Sequence, residues 1–232
     1  MRARAEDDGD VYLPNPQPAG PADYVFVCME PSLGRWAETA EDAREKVGAG
    51  FRNFLYSYED FLLHFAARRY LCGPGERYHI TDLSKGAMLV KKAAAERRAR
   101  YDRWHALLKE EIALVGLPEA SVIAVGKQVT RHLKRRGFPH PVTTVLHYSG
   151  QAARARREAV RGHEDEFRAF ANSVSSAEVL ATAEVVLEES GLADPFRSNT
   201  CERLERGELS ESRKMLLFSY RMAFDHIQPN GV

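Results

Sequence analysis

Three short stretches of this chain carry side chains that could act on one ligand. "YVFVCMEPSLG" (24–34) leaves an apolar run on Glu30, and "YHITDLSKGAM" (78–88) leaves another on Asp82. "TTVLHYSGQ" (143–151) carries His147 and Ser149. A carboxylate can hold a water or stabilise a developing cation, and an imidazole can donate to a leaving group as negative charge grows on it. Each residue also has a plainer use. Glu30 before Pro31 suits a helix start, where acids are favoured by the dipole. Asp82 is a good N-cap for a helix after it, and His147 could be a satisfied core histidine.

The elements that must position these residues are legible as short apolar runs. "YVFVC" (24–28), "RYHIT" (77–81), "SVIAVG" (121–126) and "PVTTVLHY" (141–148) read as strands. Helical segments separate them, around 38–47, across 51–65, across 87–115, directly after 126 and again after 149. In the second of these, Phe51, Phe54, Leu55, Tyr58, Leu62 and Phe65 recur at three- and four-residue steps, an amphipathic pattern. Alternating strands and helices predict an α/β fold, a three-layer αβα sandwich around a central four-stranded parallel sheet. Ligands of such sheets bind beyond the carboxyl ends of the strands, which is where Glu30, Asp82, His147 and Ser149 fall. Residues 1–22 are acidic and Pro-rich and read as a flexible arm. Residues 23–173 form the α/β domain, and 174–232, broken at "GLADP", a separate helical C-terminal extension.

Composition narrows the classes further. The 232 residues are 44% apolar, too much for a disordered chain, and no run approaches the roughly 20 apolar residues of a membrane span. "MRARAEDDGD" lacks the apolar stretch of a secretory signal, so a cytoplasmic protein is expected, with no membrane partner. Cys28, Cys72 and Cys201 have no metal-ligand spacing and read as free thiols; no metal or cofactor is expected. Net charge is zero but uneven. Residues 85–103 carry seven Lys/Arg against two acids, 127–168 ten against four, and 174–232 six against ten. A basic middle beside an acidic tail suits a polyanion on one face, or simply solvated helices.

Taken together, "CMEPS", "YHITDLSKGAM", "SVIAVGKQVTRHL" and "HYSGQ" resemble, in order and strand context over about residues 22–172, the motifs of the uracil-DNA glycosylase superfamily. The resemblance implies a monofunctional DNA glycosylase that hydrolyses the N-glycosidic bond of a flipped-out base. Glu30 would match the residue that holds water or stabilises the sugar cation. His147 would match the donor to the departing base, and Ser149 a serine near DNA phosphate. Asp82 stands where the family has a base-reading Asn, and Phe51 or Phe54 would be the aromatic floor under the base. The loop "GQAARARR", with Gln151, falls where the family wedges into the duplex, and here that wedge is polar or basic. Arg154, Arg156, Arg157 and Lys127, with Lys85, Lys91 and Lys92, could hold DNA phosphates. The motifs hold no obvious lysine nucleophile, so an abasic site without strand cleavage is expected.

The Asp at position 82 alters the expected base. Ionised Asp only accepts, so uracil O4 would face an oxygen, and an acceptor buried without its donor loses about 1–3 kcal/mol. Cytosine presents an amino group at that edge. A cytosine derivative or another modified or damaged base therefore fits better than plain uracil. Rival expectations are a nucleoside or nucleotide N-glycosidase on the same scaffold and a non-catalytic nucleic-acid binder. The C-terminal helices add a surface for a protein partner or self-association.

Overall fold

The computed structural model describes residues 1–16, 20–33, 36–88, 90–149 and 152–227, and the side chains of 90–94 lie outside that description. In chain order the elements are α1 (Arg2–Asp7), β1 (Val11–Tyr12), β2 (Ala22–Cys28), α2 (Ala40–Gly48), α3 (Tyr58–Ala66) and a π-helical turn, Ala67–Leu71. There follow β3 (Tyr78–Asp82), β4 (Gly86–Ala87), α4 (Val90–Val115), β5 (Gly116–Val125), α5 (Lys127–Arg135) and β6 (Val142–Val145). The chain then runs through α6 (Ala153–Val160), α7 (Glu164–Ser173), α8 (Ser176–Glu189), α9 (Asp194–Glu205) and α10 (Glu211–Asp225).

The central sheet is four-stranded and parallel, in the order β3-β2-β5-β6, with Cys28 beside Asp82, Val27 beside Ala124 and Val125 beside Val145. Both faces are covered, so β2 reads as a continuous apolar run. Tyr24, Phe26 and Cys28 face the core built with α3, α7, α8 and α10; Val25 and Val27 face α4 and α5. Fully burying a side chain such as Phe26 contributes about 1.5–3 kcal/mol. The crossover from β2 goes to β3 on one side while β5 and β6 lie on the other. A crevice therefore opens beyond the carboxyl ends of β2 and β5. Among the described residues, no helix is long and apolar enough to cross a membrane.

Three expectations are corrected. Residues 1–13 are not a loose arm: β1 pairs antiparallel with β4, and Ala5, Val11 and Leu13 are buried. Two acids of this segment are counter-charges to α4. Asp10 pairs with buried Arg100 at 2.5 Å, and Asp8 accepts from Trp104 Nε1 at 2.8 Å. The C-terminal helices are not a separate unit, because Phe218, Tyr220 and Phe224 of α10 are fully buried in the core that holds Phe26. The helix expected over 51–65 starts only at Tyr58. Ser57 and Asp60 form a reciprocal capping box there, which satisfies the first free N–H groups and fixes the start. Phe51 and Phe54 consequently lie in the preceding loop.

Candidate functional site

Glu30, Asp82, His147, Ser149, Phe51, Phe54 and Arg156 all line one cleft of ≈ 730 Å³ at the carboxyl edge of the sheet. They come from the loop after β2, the loop before α3, the end of β3, the loop after β6 and α6, and the parallel register gathers the strand ends.

At one corner, Glu30 follows β2 and its side chain is only 4% exposed. Its Oε1 accepts from Arg97 Nε and Nη2, both at 2.8 Å, and its Oε2 accepts from Tyr101 O–H. Arg97 and Tyr101 sit four residues apart on one face of α4, the spacing at which two side chains reach the same point. Burial and the Glu30 charge push the Tyr101 phenol far above its ordinary range, so it stays a donor.

At the opposite corner, Asp82 ends β3 and is 3% exposed. Its Oδ2 accepts from Asn53 Nδ2 at 2.6 Å. Among the described residues nothing donates to its Oδ1. Asp82 therefore faces the cleft and caps no helix through its side chain: the short β4 follows it, and the nearby Lys85 ammonium donates to its backbone carbonyl at 2.9 Å. Burial raises the carboxyl, Lys85 pulls it back, Glu30 adds to the rise and Asn53 opposes it, and the result is a pKa of about 7. Asp82 thus carries a proton about half the time at neutral pH.

His147 follows β6 and packs against Gly126, where φ is +103° and an added Cβ would fall 3.3 Å from the His147 Cβ, so a side chain there would be strained and tight against the imidazole. The Ser149 backbone N–H donates to His147 Nδ1 at 3.0 Å, so the ring proton sits on Nε2, and no described residue accepts from it. Burial, with the Arg97 and Arg156 charges, lowers its pKa to about 4, and the ring is a neutral donor at physiological pH. The loop is braced from below. Arg156 donates to the Tyr148 and Ser149 carbonyls at 2.5 and 3.0 Å, and Tyr220 O–H to the Leu146 carbonyl at 3.0 Å.

The aromatic walls differ from each other. Phe51 is 4% exposed and stacks on Trp36 at 4.6 Å and 15°, within a satellite core. Phe54 has a left-handed backbone, φ +58°, unlike any other described non-glycine residue. That strain is held by buried His64, whose Nε2 lies 3.1 Å from the Phe54 carbonyl.

The basic residues divide. Lys85 is not available to phosphate: it is 3% exposed and ion-paired with Glu111 at 2.8 Å. Burial alone would raise the Glu111 carboxyl, but Lys85 and His79 hold it at about 2. Arg156 is likewise buried as a brace. Lys127, Arg154 and Arg157 are exposed. Gln151 and the side chains of Lys91 and Lys92 lie outside the described residues.

Sequence reasoning missed Asn53, Asn15, Arg97 and Tyr101. The i, i+4 pair on a basic helix was one signal, and a polar Arg52-Asn53 step inside an aromatic run was another. Among the described residues, no three His, Cys, Asp or Glu side chains gather as metal ligands would. In comparisons with known proteins, no family model and no curated protein matches the chain.

Proposed function

We propose that this protein is a monofunctional DNA glycosylase of the uracil-DNA glycosylase type, acting on a flipped-out modified or damaged base. The observation that carries the reading is the meeting of Glu30, Asp82 and the His147 Nε2–H donor in one aromatic-walled cleft. In this reading the base lies against Phe54 with its Watson–Crick edge toward Asp82. The glycosidic C–N bond breaks with its electron pair going to the base, and His147 donates to the base oxygen that gains charge. Glu30, held in place by Arg97 and Tyr101, faces the cationic sugar. A remaining lone pair on its carboxylate orients the water whose oxygen bonds to C1′, and the proton that water gives up balances the one the departed base anion takes up from solvent. The exposed Lys127, Arg154 and Arg157 supply charge for the phosphates.

A second reading has one observation in its favour. Both Glu30 oxygens already carry donors, which suits a protein that captures an extruded base without cutting it. One experiment separates the two: incubation with duplexes carrying single modified bases, scored for alkali-labile abasic sites. The glycosylase reading expects sites from at least one base, with loss of 100-fold or more in His147→Ala. Tight binding with no abasic sites on any base would leave the capture reading standing in its place.

A further inference from the structure

Asn53 has no role in the reaction just described, yet it lies beside Phe54 on the cleft wall and touches Asp82. Its orientation is set from far behind the site. Glu111, ionised, accepts from Thr81 O–H at 2.8 Å, which leaves the Thr81 oxygen as an acceptor. That oxygen takes Asn15 Nδ2–H at 3.1 Å and a proton of Lys85. Asn15 must then present its Oδ1 to Asn53 Nδ2, at 3.3 Å, and the other Asn53 amide hydrogen goes to Asp82 Oδ2. Every link points the same way, as amide orientations read from a network should. Turning the Asn53 amide over would set its oxygen against Asn15 Oδ1 and, with Asp82 ionised, would also set two oxygens 2.6 Å apart at Asp82. Both Asn53 hydrogens are spent, and only its Oδ1 is left for a ligand.

We propose that Asn53 and Asp82 form a two-acceptor reader for the exocyclic amino group of a nucleobase, with Asn53 a specificity-determining residue whose polarity is fixed by the buried Lys85–Glu111 pair. The base class is then one with an amino group beside a ring nitrogen, of cytosine or adenine type, rather than its deaminated counterpart. Two acceptors take the two amino hydrogens. A carbonyl oxygen in the same place meets only oxygens, which disfavours it on the order of ten- to a hundredfold. The inference rests on the cleft being a base pocket and not on bond cleavage.

The test is binding, at pH 8, where Asp82 is mostly ionised. The probes are duplexes carrying a cleavage-resistant 2′-fluoroarabino nucleotide of 5-methylcytosine or of thymine, each opposite an abasic site so that neither base is paired. These two bases differ only at the edge in question. A third duplex with the 2′-fluoroarabino adenine nucleotide opposite an abasic site, whose N6 keeps both hydrogens, separates the pyrimidine from the purine source of the same chemistry. The full-length protein is expected to prefer an amino-bearing duplex over thymine by tenfold or more. Asn53→Leu should bring the ratio to within about twofold, and Asp82→Asn should invert it toward thymine, a gain that misfolding cannot produce. Equal or tighter binding of thymine, or a ratio that neither variant moves, overturns the inference while leaving the glycosylase reading intact. Amino preference with no abasic sites from hydrolysable counterparts supports the inference and removes the glycosylase reading. Absence of binding to every duplex overturns both.

Discussion

Glu30 and Asp82 leave neighbouring parallel strands at the same edge of the sheet, and both are almost wholly withdrawn from water. Their surroundings nonetheless differ. Glu30 receives a two-pronged guanidinium and a phenol, which fix the carboxylate in one place. Asp82 receives one amide hydrogen, while the nearest ammonium, Lys85, is aimed at Glu111 and at the Asp82 backbone carbonyl. At Asp82 desolvation is left to act and raises the carboxyl. A fixed charge suits the stabilisation of a cation; a carboxyl that titrates near neutrality suits reading a partner whose edge can donate. The same residue chemistry acquires two uses through what stands behind it.

Removing the counter-charge should erase the contrast, with the largest effect. Arg97→Met leaves Glu30 buried with only Tyr101 as donor. Breaking a buried pair in this way destabilises by about 3–5 kcal/mol, and the quarter exposure of Arg97 places the loss near the lower end, about 3 kcal/mol. Urea unfolding at pH 8 measures it. Adding Glu30→Gln should restore most of the loss, because the charge that lacked a partner is gone. If the double variant is no more stable than the single one, Glu30 was not held by charge.

Asp82→Asn sharpens the comparison from the other side. Folding raises this carboxyl from 3.8 to about 7, so between those values the folded protein binds a proton that the unfolded chain has lost. Stability must then fall as pH rises from about 4 to 7, and the penalty is fully present above 7. Asparagine carries no charge and can still accept from Asn53 through its oxygen. The variant is expected to be more stable than the parent by about 1–2 kcal/mol at pH 8, below the ceiling of about 4 kcal/mol that the full rise implies. It should be no more stable near pH 4. Parallel stability–pH curves for the two proteins would show that Asp82 does not titrate in this range.

The sheet was readable because its strands are short, apolar and β-branched. Their parallel order followed from the helices between them, so Glu30, Asp82 and His147 could be placed at one edge before any geometry was known. Two failures have a common origin. The N-terminal segment reads as a flexible arm because it is acidic and Pro-rich, and Lys85 and Arg156 read as phosphate ligands because they are basic. Sequence shows that a side chain is charged but not whether a partner from a distant segment neutralises it: Asp10 finds Arg100 ninety residues away, and Lys85 finds Glu111. Asn53 was hidden differently. Its neighbours Phe51, Phe54 and Leu55 fit a helical period, and only the capping box at Ser57 breaks that period and turns the segment into a site wall.

The smallest expected effects belong to the exposed basic residues of α5 and α6, where exposure reverses the logic of both corners. Lys127, Arg154 and Arg157 are exposed, and the Arg154–Glu158 pair at 2.9 Å has 86% of the Arg154 side chain in solvent. Such a pair is worth little, so replacing any of the three by Ala should change stability by no more than about 0.5 kcal/mol. Their contribution is to be sought in salt dependence. On double-stranded DNA, each phosphate contact removed should flatten the plot of log binding constant against log salt by about 0.9. Arg156→Ala provides the contrast within the same helix. Its guanidinium holds the Tyr148 and Ser149 carbonyls and not solvent. It should therefore loosen the His147 loop and lower stability while leaving the salt slope unchanged. A slope reduced in Arg156→Ala but not in Arg154→Ala or Arg157→Ala would mean that DNA reaches into the cleft and bypasses the exposed face of α6.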